Sequence, residues 1–277
     1  YGGSRYGIGA SVLAGAEGRM ERDSASHTVR FLADLESPDA IGRRAGERAV
    51  ARLGGGKLAS GTMPVIYDRR AGGSLIGALL GAISGSAIAR KTSFLLEKRG
   101  GRIFDSSVSI VDDPLRVRGL RSRSFDGEGL ATGPYRVIDK GILGGWMMDS
   151  ASARQLEETP TGHAARGISG APSTGASNVH MEAGRDTPAA LMAGIGTGLY
   201  VTELIGMGVN GVTGDYSRGA SGFIIRDGQL AEPVSEITIA GNLIDMFAAL
   251  IPADDLEFRY AVNVPTLRID GMVVASS

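Results

Sequence analysis

The sequence contains no cysteine, which removes disulfides, cysteine-ligated zinc, iron–sulfur clusters and thiol nucleophiles together. Such a chain fits a reducing compartment, and the cytoplasm is the expected location. Aromatic residues are scarce, 5 % with a single Trp, while 43 % of residues are apolar, so the core has to be built from Ala, Val, Ile, Leu and Met. An excess of either charge is also missing. Lys and Arg number 29 against 30 Asp and Glu, a formal charge of −1, which gives no global attraction to nucleic acid or anionic lipid. Direct nucleic-acid binding and a membrane partner are therefore not expected. The longest apolar stretch, Leu75 to Ala89, falls short of the roughly 20 residues of a bilayer span and is interrupted by Gly and Ser, so it reads as a buried helix. No initiator Met or leader pattern precedes Tyr1, where the chain already reads as a strand, and a fragment of a longer protein is expected.

Glycine is what the sequence has in excess: 43 of 277 residues, about twice the usual share, without the period of collagen. A turn-rich chain with close backbone packing follows. Arg5 to Ala14 and Arg22 to Ala33 read as neighbouring strands about a turn at Ala16, Glu17, Gly18 and Arg19. Ser37, Pro38 and Asp39 open a helix with Ile41, Ala45, Ala49 and Leu53 on one face, stopped by Gly54. After a short strand at Pro64 to Tyr67, Gly73, Gly77, Gly81 and Gly85 recur every four residues, one stripe on a helix. Each helical Gly costs about 1 kcal/mol relative to Ala. The offset is either tight packing in the core, or a subunit contact, or the rim of a binding cleft.

From Ser107 onward the pattern is mostly β. Hairpins are expected at Lys140–Gly141 and Asp227–Gly228, a strand at Ile237 to Ile239, and a short helix near Asn242 to Leu250. A closing pair is expected from Phe258 to Val264 and Leu267 to Val274, the latter turning near Asp270–Gly271. Residues 159–187, rich in Gly, Pro, Ser and Thr, read as a long loop.

Three histidines, His27, His163 and His180, are the whole imidazole supply, and none of them forms the H-E-x-x-H spacing of a zinc hydrolase. His163 and His180 are the pair that a loop can bring together. Gly85 to Thr92 imitates a phosphate-binding loop, but Arg90 stands where Gly is required and the preceding segment reads as helix. There is no G-x-S-x-G elbow and no S-x-x-K. Arg116, Arg118, Arg121 and Arg123 read as a solvated strand face with Asp112 and Asp113 as partners, or as a holder of carboxylate or phosphate. Thr213 to Gly219 is the most polar insert in an apolar β region. It is either a cleft or partner contact, or a turn closed by an Asp215–Arg218 pair.

The run VTGDYSRGASGF, Val212 to Phe223, followed by PVSEITIAGNL, Pro233 to Leu243, resembles the TldD/TldE family, more narrowly its TldE (PmbA) branch, also called a modulator of DNA gyrase. Ser4 to Tyr6, Arg90 to Leu96, Ser124 to Gly129, Thr161 to Ala164 and Gly196 to Leu204 agree with it in the same order. The resemblance implies a cytoplasmic two-subunit peptidase for small or unfolded peptides, with TldD carrying an H-E-x-x-x-H metal site. The corresponding segment here, Ala71 to Gly85, holds Gly, Leu, Ile and Ala instead. The implied role is a subunit with no catalytic or metal residue of its own, the metal lying on a TldD-like partner. The partner is that subunit, or a second copy of this chain, together with the peptide. Candidate cleft or interface residues are Gly73, Gly77, Gly81, Gly85, His163, Asp215, Tyr216, Ser217 and Arg218. The implied fold is α+β: residues 1–56 as the end of an N-terminal α+β domain, residues 57–277 as a mainly antiparallel β domain with a few packed helices. Two rival readings remain, a regulatory or peptide-binding protein without catalysis, and an independent peptidase built around His163 and His180.

Overall fold

The structure is a computed structural model that describes residues 2–16 and 19–276. It opens with two antiparallel strands, β1 (Tyr6–Ala16) and β2 (Arg19–Val29), in register from Tyr6 opposite Val29. The expected turn residues Glu17 and Gly18 lie outside the described residues. The second strand stops at Val29, earlier than its apolar run implies, because Leu32–Asp34 winds into a 3-10 turn. α1 (Pro38–Ala51) then starts as its sequence dictates, with the Ser37 hydroxyl accepting from the Ala40 amide at 3.2 Å. Ile41 and Ala45 on its buried face meet Ala25 and the alternating Ile8, Ala10 and Val12 of the hairpin.

The rest of the chain supplies β3 (Gly61–Tyr67), α2 (Arg69–Ala82), α3 (Gly85–Ala89), β4 (Ile110–Asp112), β5 (Tyr135–Asp139) and β6 (Ile142–Leu143). α4 (Ser150–Leu156), β7 (Ala164–Ala165), β8 (Ser173–Thr174), β9 (Val179–Met181), α5 (Pro188–Ala193) and β10 (Thr197–Ile205) follow. The chain ends with β11 (Asp215–Arg226), β12 (Gln229–Asn242), α6 (Leu243–Ala248), β13 (Leu250–Pro252), β14 (Val262–Asn263) and β15 (Leu267–Ser276). The fold is α+β with mostly antiparallel sheets. One sheet runs β12-β11-β10-β3-β15-β13, and β12 pairs again with β15, so five of its strands close on themselves and shield one another's edges. Only β3 and β10 run parallel in it. A second sheet, β14-β9-β4-β5-β6, packs through the same core.

Alternation assigns the faces. Val65 and Tyr67 of β3 enter the main core, whereas Ile66 between them turns to Leu191, Ile195 and Ile225. Both expected hairpins form, and for the expected reason: Lys140 and Gly141 have φ of 48° and 83°, Asp227 and Gly228 of 47° and 77°, the left-handed pair that a two-residue turn needs.

Four expectations are corrected. The Leu75–Ala89 helix is two helices, since Ser84 caps a new start at Gly85. Residues 159–187 are not an open loop: β7, β8 and β9 lie within them, tied by Ala164 N to Asp126 Oδ2 at 3.1 Å and Gly175 N to His163 O at 2.8 Å. The closing pair does not form, because β14 runs parallel to β9, and β15 passes Gly271 as a bulge between Ile269 and Met272. Ile237 to Ile239 belong to the longer β12. No helix among the described residues is long and apolar enough to cross a membrane.

Candidate functional site

α2 begins at Asp68, whose carboxylate accepts from the Arg70 amide at 2.8 Å and caps the helix. Its apolar side, Ala71, Leu75, Ile76 and Leu79, is buried in the main core. Close approach on that side is made by Gly72, where a Cβ would stand 3.0 Å from both the Leu267 and Val264 side chains. The stripe at every fourth residue does something else. Gly73 faces the Val262 carbonyl at 3.8 Å, while Gly77 and Gly81 are exposed and would meet nothing within 4 Å. Tight core packing is thus the wrong account of Gly77 and Gly81: a 3.6-residue turn puts them on the side opposite Leu75 and Leu79. Gly85, on α3, leaves the stripe altogether and is buried against Ser152 and Met148 of the segment leading into α4.

The segment after α3 reaches the polar insert. Phe94 N donates to Gly211 O at 2.9 Å, and Gly214 rests on the Phe94 ring. The loop between β10 and β11 is open, with Met207 98 % exposed and Val212, like Ile205 at the end of β10, more than half exposed. The expected Asp215–Arg218 closure does not form. Asp215 accepts from Thr213 Oγ1 at 2.6 Å and Asn242 Nδ2 at 3.2 Å, because the insert opens β11 as a strand and alternate side chains diverge. Ser217 is exposed and its amide pairs with Gly208 O. Tyr216 points inward, its hydroxyl buried without a hydrogen-bond partner among the described residues, as is Arg218 Nε. Burial pushes the Tyr67 phenol well up, Tyr216 adds to this, and Arg218 opposes it.

His163 lies in a separate, closed network. Its Nε2 is 3.4 Å from Asp112 Oδ2 and its Nδ1 2.8 Å from Thr161 Oγ1, with Tyr135 edge-on at 5.0 Å. Asp112 also accepts from the Ser177 amide at 2.8 Å and from the Ser177 hydroxyl. Burial raises the Asp112 pKa, but the hydrogen bonds from His163 and Ser177 outweigh it and hold the carboxyl below its ordinary range. Ser177 donates to the carboxylate and not to the imidazole, so no nucleophile–base pair exists here. Ser, His and Asp are at most 4 % exposed and staple β4 to the residue before β7 and to the segment before β9. His180 does not join them: it opposes Val111, next to Asp112 on β4, hence on the other face, where it meets the Phe258 ring at 5.2 Å. The four arginines from Arg116 to Arg123 do not form one strand face either. Arg118 pairs with Asp34 at 2.7 Å, Arg116 lies over Phe258 at 3.2 Å, and Arg123 donates to the Ala164 and Gly175 carbonyls.

Family models match the chain in two parts, the PmbA/TldA metallopeptidase central domain over residues 1–53 and the C-terminal domain over residues 60–276. The chain belongs to the PmbA/TldA metallopeptidase family. It is 37 % identical to the metalloprotease PmbA of Escherichia coli O157:H7, over 99 % of this chain and 59 % of that protein. A PmbA homologue of Haemophilus influenzae is 36 % identical over 99 % of this chain and 59 % of its own length. The TldD homologue of the same organism is 25 % identical. A crystal structure of a Bacteroides thetaiotaomicron protein described in terms of DNA gyrase modulation superposes with a TM-score of 0.89 at 30 % identity, covering 99 % of this chain and 60 % of that one. The chain thus spans about three fifths of the length of these relatives.

A metallopeptidase name implies a metal, and the described residues of this chain offer no donor set that fits one. α2, the segment that the family resemblance aligns with H-E-x-x-x-H, has neither His, Asp nor Glu between Arg69 and Ala82. Asp68 at its cap is engaged by Arg70. Among the described residues no three His, Asp or Glu side chains are placed to hold a metal ion, and the chain has no Cys.

Proposed function

We propose that this chain is the PmbA/TldE-type subunit of a TldD/TldE-type metallopeptidase system in the cytoplasm, one that degrades small or unfolded peptides. The metal resides on a TldD-like partner. This chain contributes a docking and peptide-binding surface drawn from the open face of α2 and the exposed loop between β10 and β11. The observation that carries the reading is Gly77 and Gly81: two exposed helical glycines that satisfy no packing demand of their own chain, on a helix without a metal ligand. A bare helical backbone admits close approach of another chain, and the exposed Met207 and Val212 of the β10–β11 loop offer apolar area for contact. The buried His163–Asp112–Ser177 order argues against independent hydrolysis at that place.

The test is peptide hydrolysis by this chain alone, by a TldD-like partner alone, and by the mixture, each with and without chelator. Activity in the partner and more in the mixture, abolished by chelation, supports the reading. Chelator-sensitive hydrolysis by this chain alone refutes it.

A further inference from the structure

Three cavities of about 230, 270 and 260 Å³ lie along the junction between the β1–β2–α1 unit and the remainder of the chain. All three meet on Arg259 and Tyr260. Their walls carry ten arginines and no lysine, against three carboxylates, Asp34, Asp68 and Glu257. In a chain of formal charge −1 that is a strong segregation of charge. Half of these arginines are neutralised: Arg44, Arg69, Arg70, Arg118 and Arg259 each have a carboxylate within 4.0 Å. The others, Arg5, Arg30, Arg48, Arg116 and Arg121, have none within that distance among the described residues. Arg48 donates to the Ser24 carbonyl, and burial and then the neighbouring Arg70 both disfavour its charge. Uncompensated guanidinium groups in concave, partly desolvated walls attract anions, and the planar fork of Arg suits carboxylate bidentately where Lys offers a point charge.

We propose that this arginine-lined junction is a binding site for an acidic peptide segment, whose carboxylate side chains enter the three cavities. Each cavity lies below the roughly 300 Å³ at which pockets accept drug-sized ligands, and so suits single side chains displayed along an extended chain. Single-stranded nucleic acid is the competing polyanion, and the aromatic rings argue against it. Bases need open ring faces to stack on, and one face of Phe258 is already taken by Arg116 and one of neighbouring Phe31 by Arg118 at 4.7 Å, which leaves Tyr260 as the aromatic shared by the three cavities. The proposal shares with the peptidase-subunit reading only the premise of a peptide ligand.

The experiment is fluorescence anisotropy of a labelled oligoglutamate peptide with the whole chain, compared with oligoglutamine of equal length and with oligothymidylate. Expected are saturable binding of oligoglutamate that weakens with salt, at least tenfold weaker binding of oligoglutamine, and a loss of about tenfold in the Arg48→Gln/Arg121→Gln double variant while it remains folded. Neither substituted side chain belongs to an ion pair among the described residues, and the variant gives up the Arg48 hydrogen bond to the Ser24 carbonyl but no charge pair; should the double variant not fold, the Glu-over-Gln preference of the parent carries the test. Absence of saturable binding, equal binding of oligoglutamine, an unaffected folded double variant, or oligothymidylate bound as tightly as oligoglutamate overturns the proposal. Because binding is read without hydrolysis, oligoglutamate binding by a chain that fails to raise peptide turnover removes the subunit reading and leaves this one standing.

Discussion

Alanine substitution of three glycines on one helix separates packing from exposure. At Gly77 and Gly81 a Cβ meets nothing within 4 Å, so the only term is helix propensity, which favours Ala by about 1 kcal/mol at each. Gly72→Ala brings the same propensity gain, but its Cβ stands 3.0 Å from the Leu267 and Val264 side chains. Overpacking of this kind costs about 1–3 kcal/mol, which leaves Gly72→Ala between neutral and about 2 kcal/mol destabilising. Identical chemistry five and nine residues apart along one helix should thus differ by about 1–3 kcal/mol, the packing term alone. Urea unfolding read at the midpoint, with unchanged slope, measures this, and in thermal melts each kcal/mol is worth roughly 2–4 °C for a chain of this size. Equal shifts at positions 72 and 77 would refute the assignment of the open face, and with it the site proposed on α2.

The bulkier Gly77→Leu should leave the chain folded yet cut the turnover of the mixture with a TldD-like partner by tenfold or so, as a close backbone contact would be lost; unchanged turnover and assembly count against the interface. Asp112 has a folded pKa below its unfolded one, so its contribution is present above the ordinary carboxylate range and is lost as the pH falls through the folded value. Asp112→Asn should therefore destabilise the chain by about 2–4 kcal/mol at neutral pH, since His163 and Ser177 lose their buried charged acceptor, and flatten the acid limb of stability against pH. Glu36, which bridges Arg44 and Arg259, is held down to about 2 by its Arg259 hydrogen bond, burial opposing and Arg44 assisting. Its contribution is present above its ordinary range and fades as the pH falls toward 2, so stability of Glu36→Gln, followed by circular dichroism, should depend less on pH in that window.

Much of the fold was legible because its signals are local. Ser37, Pro38 and Asp39 start α1, and Lys140–Gly141 and Asp227–Gly228 turn their hairpins, because capping and left-handed turn geometry depend on two to four consecutive residues. The family was legible too, through ordered runs such as Val212 to Phe223. The candidate site was not. A spacing of four names a stripe on a helix but not the side it faces, and the packed glycines proved to be Gly72 and Gly85. Asp215 and Arg218 look paired in one dimension, yet a strand sends neighbouring side chains to opposite faces and gives Asp215 to Thr213 and Asn242.

The chain's own residues, read in order, were enough for the absence of cysteine chemistry, the lack of a metal-ligand spacing, the capped helix, the hairpins and the kinship with PmbA. These are properties of composition or of short windows, where the chain is its own neighbour. Three further features needed the folded molecule. Asp112 meets His163 and Ser177 across 51 and 65 positions of sequence, five strands close because β12 returns to β15, and arginines from Arg5 to Arg259 gather at one junction in a chain that is nearly neutral as a whole. Contacts of that range are chosen by which apolar faces bury together, and burial is a property of the whole core, which no local window contains.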